Sequence, residues 1–366
     1  MFSRLSFRAL LVSVLCSASS LSLAALQMVT IAEGLDTPWS VAELPDGGFL
    51  VTERPGSVKH VAPSGEMRAV TGVPEVFAKR QGGLFDVVLH PEFAANNTVF
   101  LAYAAGSDDS NRTTVARGVL DGSALTDVSV IFEVSPTKRG GGHFGGRMAF
   151  LADGTMLLSV GEGYTLREDA QKTGSQLGKL LRLTETGEAP ADNPFPDAPY
   201  VYSYGHRNPQ GLIVDAATQS IWMTEHGPKG GDELNRIEAG KNYGWPAITY
   251  GVDYSGAIIS PFTEAPGMEQ PITYWVPSIA TSGLALYSSS AIPSLTGKLL
   301  VGGLKAKKVV AVDVSGDTPV LSEPFPDLEA RVRDVRALSD GSVAVIDEAG
   351  GKVIRVSQGA DYDAHE

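Results

Sequence analysis

"WSVAELPDGGFLVTER" (39–54) contains two apolar segments joined by a Pro-Asp-Gly-Gly turn, and the same pattern returns five more times along the chain. Asp-Gly pairs between alternating apolar segments are typical of β-hairpins. At a spacing of roughly 55 residues, each unit is expected to bury its faces against its neighbours. The other five copies are "FDVVLHPEFAANNTVFLAYA" (85–104), "GRMAFLADGTMLLSVGEG" (146–163), "QGLIVDAATQSIWMTEHG" (210–227), "SGLALYSSSAIPSLTGKLLVGGL" (282–304) and "RDVRALSDGSVAVIDEAG" (333–350).

These repeats predict an all-β fold, a six-bladed β-propeller with four-stranded antiparallel blades. A two-sheet sandwich is the alternative, and six copies of one pattern disfavour it. The longer segments 164–205 and 228–279 are rich in glycine, proline and polar residues. We expect them to form loops over one face, where functional residues commonly lie.

The first 24 residues have the features of an export signal. Arg4 and Arg8 precede an apolar, serine-rich stretch, and small residues favour cleavage before Ala25. A membrane anchor is the alternative, but the stretch is short for a membrane span. We therefore expect a periplasmic or secreted protein in which residues 25–366 form one catalytic propeller domain. The single cysteine, Cys16, lies in the signal, which excludes disulfides, thiolate metal sites and covalently attached haem from the mature chain.

The charge of the chain limits its partners. A formal net charge of −13 argues against nucleic acid or an anionic membrane as the main partner. No segment after the signal is long and apolar enough to span a bilayer. A local group of basic residues would therefore be informative, because it works against the overall field.

Basic residues, together with a histidine and two side-chain amides, occur near strand ends in most of the repeats. Equivalent positions of a propeller converge at the mouth of its central channel, so we expect these side chains to meet there. Each cation taken singly is explained by a surface salt bridge, but several of them beside a histidine predict a polyanionic ligand and proton transfer. The residues are Gln81, His143, Arg207, Asn208, Lys305, Arg331 and Arg333.

A second dense stretch, "TEHGPKGGDELNRIEAGKNYGWP" (224–246), combines exposed backbone with the carboxylates of Asp232 and Glu233. Ca²⁺ takes both kinds of oxygen ligand. The spacing of an EF-hand is absent, and the same carboxylates could cap a turn. The pattern alone leaves both interpretations open.

Seven motifs, taken in order, are similar to those of a known family. They are "QGGLFDVVLHPEF", "GGHFGGR", "YGHRNPQGL", "TEHGPKGGDELN", "KNYGWP", "GGLK" and "RVRDV". From about Gly34 to Val356 the chain resembles the soluble pyrroloquinoline-quinone (PQQ)-dependent aldose sugar dehydrogenases, relatives of soluble quinoprotein glucose dehydrogenase. That family has a six-bladed propeller, as the repeats predict.

The resemblance implies a role for each matching residue. His143 matches the general base that takes the proton of the anomeric hydroxyl while hydride passes to the quinone. Aldose sugars would become lactones, and electrons would pass to an external acceptor, a quinone or a cytochrome. The residues implied to hold PQQ are Gln81, Arg207, Asn208, Lys305, Arg331 and Arg333, with Tyr254 near a cofactor-contacting position.

The resemblance also implies two Ca²⁺ sites. The carbonyls of Gly227 and Pro228 match those that bind the ion that polarises the quinone. Glu233 and the Tyr243 carbonyl match a separate structural site.

Two departures concern the substrate. Gly142 stands where the glucose dehydrogenase relatives have an aspartate, and His226 stands where they have a glutamine. Both changes favour the aldose branch and leave open the preferred sugar and the pKa of His143.

Two other functions remain as alternatives: a calcium-dependent lactone hydrolase, which needs several acidic or amide ligands on the axis, and a non-catalytic binding propeller.

Overall fold

The six predicted hairpins form the two innermost strands of six blades in a computed structural model, which describes residues 25–359. The fold prediction is therefore confirmed. The predicted export signal and Cys16 lie outside the described residues. No helix within 25–359 has the length and apolar character needed to cross a membrane.

The strands of the described residues follow one another in the order of the blades. Apart from them there is a single helical turn, α1 (Phe93–Asn96), and two short 3₁₀ segments, Arg167–Gln171 and Pro293–Leu295. The strands are β1 (Leu26–Glu33), β2 (Pro38–Glu43), β3 (Phe49–Glu53), β4 (Ser57–Val61), β5 (Met67–Val70), β6 (Leu84–Leu89), β7 (Thr98–Gly106), β8 (Asn111–Asp121), β9 (Ala124–Glu133), β10 (Met148–Phe150), β11 (Met156–Val160), β12 (Lys179–Leu183), β13 (Val201–Tyr204), β14 (Pro209–Val214), β15 (Ile221–Glu225), β16 (Asp232–Ile237), β17 (Thr273–Trp275), β18 (Thr281–Tyr287), β19 (Lys298–Gly303), β20 (Lys308–Asp313), β21 (Val320–Ser322), β22 (Val332–Ala337), β23 (Val343–Asp347) and β24 (Lys352–Gln358).

The blades close into a ring. The innermost strands β2, β6, β10, β14, β18 and β22 contact one another in turn, and β22 returns to β2. In the last blade the outermost strand is β1, which pairs antiparallel with β24 and places Leu26 opposite Gln358. The two ends of the described chain thus share one sheet, and this pairing holds the ring closed.

Apolar residues fill the space between neighbouring blades. One cluster joins Phe85 and Phe100 of the second blade to Leu158 and Leu181 of the third. Strand β11 is buried along its whole length, because it is covered on both faces by adjacent blades. This packing accounts for the near-continuous apolar character of the second strand in each sequence repeat.

Charged residues fill the central channel below its mouth. Arg147 is 1% exposed, and its Nη1 lies 3.3 Å from Asp86 Oδ1 and 3.1 Å from Asp334 Oδ1. Arg336 pairs with both aspartates at 3.0 Å. Because these side chains come from three different blades, they link the ring across its axis. The Arg147 guanidinium also lies 4.0 Å from the centre of the Trp39 ring.

Candidate functional site

A cavity of about 280 Å³, called here the central cavity, lies where the inner strands begin. The loops before β6 and β14 and the start of β22 contribute to its lining. The rigid sheets hold the ends of these segments and so position their side chains. Four residues singled out from the sequence meet there: Gln81, Asn208, Arg331 and Arg333.

The charge of the central cavity is opposite to that of the whole protein. Arg54 and Arg80, which the sequence analysis missed, also line it. Four arginines therefore face a single carboxylate, that of Glu348. Because the chain carries a net charge of −13, this concentration of positive charge predicts an anionic ligand.

Glu348 holds the two arginines of the last blade in place. Its Oε2 is 2.5 Å from Arg331 Nε, and its Oε1 is 2.7 Å from Arg333 Nη2. Burial alone would raise the pKa of Glu348, but Arg333 and Arg331 hold it below its usual value. Arg333 Nη1 donates to Gln210 Oε1 at 3.1 Å. The guanidinium groups are thus oriented by the protein itself.

His143 lies beside the central cavity, in the loop that leads to β10. Its neighbours Phe144 and Gly145 line the cavity. The His143 N–H donates to Gln81 Oε1 at 2.8 Å, and its φ of 47° is in the left-handed region. A Cβ at Gly161 would lie 2.5 Å from the His143 carbonyl oxygen. Glycine is needed at position 161 because the two backbones touch.

The side chain of His143 is paired with a carboxylate. Its Nδ1 donates to Glu162 Oε1 at 3.0 Å, and both residues are almost completely buried. Burial lowers the pKa of His143, the Glu162 hydrogen bond opposes that effect, and Arg207 and Lys138 lower it further. The imidazole is therefore neutral at pH 7, with the free electron pair on Nε2. This is the state that a general base requires.

Glu162 was not among the residues predicted from the sequence, although the repeats contain a signal for it. An acidic residue ends the second strand, or follows it closely, in four blades: Glu53, Glu162, Glu225 and Glu348. Three of these carboxylates bind a basic residue that precedes or begins the inner strand of a blade. Glu225, for example, lies 3.1 Å from Nδ1 of the buried His206.

A second cavity of about 240 Å³, called here the flank cleft, borders Glu162 and Tyr164. Arg207, Pro228 and Tyr254 line this cleft and not the central cavity. Tyr254 is 59% exposed. The Tyr164 ring meets the His143 ring edge-on, with centroids 5.1 Å apart. His143 thus lies between the two cavities, and the residues predicted to hold the cofactor are divided between them.

Arg207 is buried and fixed by backbone contacts. Its N–H donates to Glu225 Oε2 at 2.6 Å, and its Nη1 donates to the carbonyls of Gly227 at 2.7 Å and His226 at 3.1 Å. Its Nε has no hydrogen-bond partner in the described part of the chain. A buried donor without a partner is costly, so the site is built to receive an acceptor.

Lys305 is the exception among the predicted cations. It is exposed, and the structure shows no hydrogen bond or ion pair of its side chain with the described residues. Its neighbour Leu304 lines the central cavity. Lys305 therefore lies beside the cavity, outside its wall.

The residues of the first predicted metal site lie in a crowded turn. The carbonyl oxygens of Gly230 and Gly231 are 2.3 and 2.2 Å from the position of a Cβ at Gly227. The Gly227 carbonyl itself accepts from Arg207. Several carbonyls thus meet near Gly227 and Pro228, and the Arg207 guanidinium already supplies a positive charge there.

The second predicted metal site has the ligand types that a hard cation prefers. Glu225 and Glu233 lie opposite each other in the β15–β16 ladder, and Asn235 Nδ2 donates to both. Burial raises the pKa of Glu233 to about 8, and the charge of Glu225 adds to the effect. Glu225, Glu233 and Tyr243 border a space of about 10 Å³, roughly the volume that a single water centre needs.

Few side-chain oxygens are available to bind a metal ion at this second site. Asn235 Oδ1 is buried without a hydrogen-bond donor in the described residues. Two carboxylates and an amide oxygen form a group of acceptors that a cation would neutralise. Within residues 25–359 there is no cluster of three or more His, Cys, Asp or Glu side chains arranged to bind a metal, so backbone oxygens would have to complete the coordination.

Comparison with protein families gives one match over nearly the whole described chain. Residues 35–355 match the family described as Glucose / Sorbosone dehydrogenase. Among curated proteins, the chain is 41% identical to aldose sugar dehydrogenase YliI of Escherichia coli (strain K12) over 362 residues. That alignment covers 95% of this chain and 97% of the relative.

Solved structures give the same result. The soluble aldose sugar dehydrogenase of Escherichia coli, in the apo-form, is 39% identical with a TM-score of 0.87, and the match covers 92% of this chain and 100% of that chain. The PQQ-bound aldose sugar dehydrogenase of Streptomyces coelicolor is 29% identical with a TM-score of 0.74, covering 91% of this chain and 98% of that chain.

Proposed function

The chain belongs to the glucose/sorbosone dehydrogenase family, and from that premise we propose that it oxidises aldose sugars at the anomeric carbon to lactones. It is a sugar oxidoreductase of the PQQ-dependent kind. The observation that carries the proposal is the pairing of an arginine-rich cavity with a neutral, carboxylate-bound histidine at its edge.

The residues present fit PQQ, which carries three carboxylates. Arg331 and Arg333, with Arg54 and Arg80, supply the matching positive charge in the central cavity. His226 lines the cavity, and its buried Nε2 lacks a hydrogen-bond partner in the described part of the chain, as expected of a group that awaits a ligand.

We propose that the remaining contacts come from the rest of the predicted set. Gln81 and Asn208 would hold the cofactor from the other blades, and Arg207 from the flank cleft. Lys305 and Tyr254 would act from the rims of the two cavities. When bound, the quinone supplies the two-electron acceptor for the hydride of the anomeric carbon.

His143 acts on the sugar as a general base. Its Nε2 takes the proton of the anomeric hydroxyl, which leaves an imidazolium. The Nδ1–H of that imidazolium points at Glu162 Oε1, so the buried carboxylate stabilises the charge as it forms. Burial of both groups strengthens this interaction, because little solvent is present to screen it.

Calcium is a second part of the proposal. At Gly227 and Pro228 the ion would bind backbone carbonyls and compete with Arg207 for the Gly227 oxygen. At the other site Glu233 and the Tyr243 carbonyl would bind a structural ion, with Glu225 beside them. The excess of buried acceptors supports this second assignment. Removal of Ca²⁺ by a chelator should then lower the thermal midpoint.

Export and an external electron acceptor complete the proposal. The sequence of residues 1–24 supports transport out of the cytoplasm. The mature chain has no cysteine and no haem-attachment motif, so electrons would leave to a separate protein or a diffusible quinone. The N-terminal sequence of the protein recovered from a periplasmic extract would test the cleavage before Ala25.

The calcium-dependent lactone hydrolase is less well supported by the axis of the propeller. That chemistry needs free carboxylates around an axial ion. Asp86 and Asp334 are inner-strand carboxylates that are fully buried, and both are paired with Arg147 and Arg336. Their charge is already neutralised by the protein.

Titration of the protein with PQQ tests the proposed cofactor site directly. We expect saturable binding with a change in the quinone absorbance, weakened in Arg331→Ala and kept in Lys172→Ala, which changes an exposed lysine that lines neither cavity. The lactone should then appear as the product of aldose oxidation. Equal affinity of both variants for PQQ would contradict the proposed site.

A further inference from the structure

Lys138 is a buried lysine that the proposed mechanism does not use. It is 4% exposed, and it forms no salt bridge with any carboxylate of residues 25–359. Burial lowers its pKa to about 7, and Glu162 opposes the effect from a distance. A buried ammonium group without an ion pair is costly. Its contacts therefore need an explanation.

The ammonium group of Lys138 ties three parts of the site together. Nζ donates to Asn111 Oδ1 at 2.9 Å and to the Gly140 carbonyl at 3.2 Å. It also lies 3.5 Å from the centre of the Phe144 ring, within the range of a cation–π contact. Gly140 and Phe144 lie on either side of His143 in the same loop, so one group fixes both ends of the turn that carries the histidine.

The partner Asn111 makes this anchor rigid. Its Nδ2 donates to the Ser107 carbonyl at 2.7 Å and to the Gly140 carbonyl at 2.9 Å. The backbones of Asn111 and Lys138 also exchange two hydrogen bonds of 2.8 Å. The first residue of β8 is thus joined to the His143 loop through both main chain and side chains.

The stem of Lys138 runs next to the histidine–carboxylate pair. A Cβ at Gly163 would lie 2.7 Å from Lys138 Cδ, so the lysine packs directly on the residue after Glu162. The Gly163 N–H donates to the His143 carbonyl at 3.2 Å. Lys138 therefore contacts both segments that bring His143 and Glu162 together.

We propose that Lys138 is a positioning residue that anchors the loop 139–144 and places one positive charge beside His143. The proposal rests on the proposed function of His143 as the general base. Lys138 lines neither the central cavity nor the flank cleft, and it acts through the histidine. The charge keeps the imidazole free of a second proton, while the hydrogen bonds keep its Nε2 aimed at the site.

The sign of the pH effect follows from the charged groups that face His143. These are Glu162, which favours the imidazolium, and Arg207, Lys138 and His226, which disfavour it. Below pH 7 Lys138 carries its proton. Removal or neutralisation of that charge should raise the pKa of His143. The acid limb of the activity profile should then move to higher pH.

The test compares two variants that change the charge in different ways. Lys138→Met removes the ammonium group with little change in volume. Asn111→Asp keeps the size of the side chain and adds a carboxylate at the distance of the present Nζ–Oδ1 hydrogen bond, but it loses the Nδ2 donations to the Ser107 and Gly140 carbonyls. The control is Arg139→Met, which removes one positive charge from the adjacent residue. The Arg139 side chain is 80% exposed and pairs with Asp109, so solvent screens its charge.

The primary measurement is the pH dependence of kcat/KM for PQQ-loaded protein. The second is the NMR titration of the His143 imidazole in the protein without cofactor, with the signal assigned by its loss in His143→Gln. We expect both variants to move the midpoint upward by roughly half to one pH unit, and the control to stay at the wild-type value. Lys138→Met should also lower kcat on the plateau, because the loop loses its anchor.

Two results would overturn the proposal. If Lys138→Met loses activity but neither variant moves the midpoint, the lysine is only structural. If Arg139→Met moves it as far as the other variants do, the effect is not local to Lys138. Should Lys138→Met fail to fold, the midpoint shift of Asn111→Asp alone supports or contradicts the proposal. If no variant or wild type oxidises any sugar, the proposed function fails, and the imidazole titration still judges the role of Lys138.

Discussion

Replacement of Glu162 by glutamine should slow the reaction without weakening the binding of cofactor or sugar. Glutamine can keep an oxygen 3.0 Å from His143 Nδ1, so the imidazole stays oriented. What is lost is the negative charge opposite the imidazolium that forms during proton transfer. Hydrogen bonds to charged groups contribute about 1.5–3 kcal/mol and neutral ones about 0.5–1.5 kcal/mol, so loss of the charge alone should cost about 1–1.5 kcal/mol. With about 1.4 kcal/mol per factor of ten, kcat should fall roughly 5- to 13-fold.

The same substitution sets the direction of a pH shift. Burial is the largest influence on His143 and lowers its pKa, whereas the Glu162 hydrogen bond raises it. Without Glu162 the pKa falls further, and the acid limb of the kcat profile moves to lower pH. The assay is dye reduction by PQQ-loaded protein from pH 4 to 9, with Glu185→Gln as an exposed control. A kcat within twofold of wild type, or an acid limb at higher pH, would refute the assignment of Glu162.

Three further predictions follow from other contacts. His143→Ala should keep the PQQ affinity and lose most turnover, whereas Arg331→Ala should weaken PQQ binding first; titration and steady-state kinetics separate the two. Asp86→Asn should cost about 3–5 kcal/mol in urea unfolding, because Arg147 and Arg336 would lose a buried partner; the exposed Asp317→Asn should change little. Glu233→Gln should abolish any rise of the thermal midpoint on addition of Ca²⁺, and a persistent rise would place the ion elsewhere.

The fold could be predicted because each blade repeats its information locally. A hairpin such as 146–163 contains its own turn and the apolar alternation of two strands, so no long-range contact is needed to recognise it. The six hairpins became β2–β3, β6–β7, β10–β11, β14–β15, β18–β19 and β22–β23. The closure of the last blade by β1 was less visible, because it depends on pairing between the two ends of the chain.

The site could be predicted only in part. Gln81, Asn208, Arg331 and Arg333 meet because strand starts converge in any propeller, and this holds regardless of side-chain detail. Lys305, which follows β19 by two residues, lies outside the cavity wall. Tyr254 lies on a long insert whose path the repeats do not determine, and the structure places it on the flank cleft.

The groups that tune His143 could not be found from composition or spacing. Glu162 lies between two glycines, and its partner His143 is 19 residues away in the chain. Lys138 resembles an ordinary loop lysine in the sequence, and its burial becomes visible only when Asn111, Phe144 and Gly163 surround it. The burial of Arg147 is likewise visible only in the fold, because its partners Asp86 and Asp334 come from two other blades.

We propose that His143 is the base of a PQQ-dependent sugar oxidation. The most direct test adds PQQ, Ca²⁺, an artificial electron acceptor and a panel of aldoses to wild type and to His143→Gln in parallel. We expect acceptor reduction that requires both quinone and sugar in wild type, and PQQ binding with little turnover in His143→Gln. Equal turnover of the two proteins, or acceptor reduction that does not depend on added or bound PQQ, would contradict it.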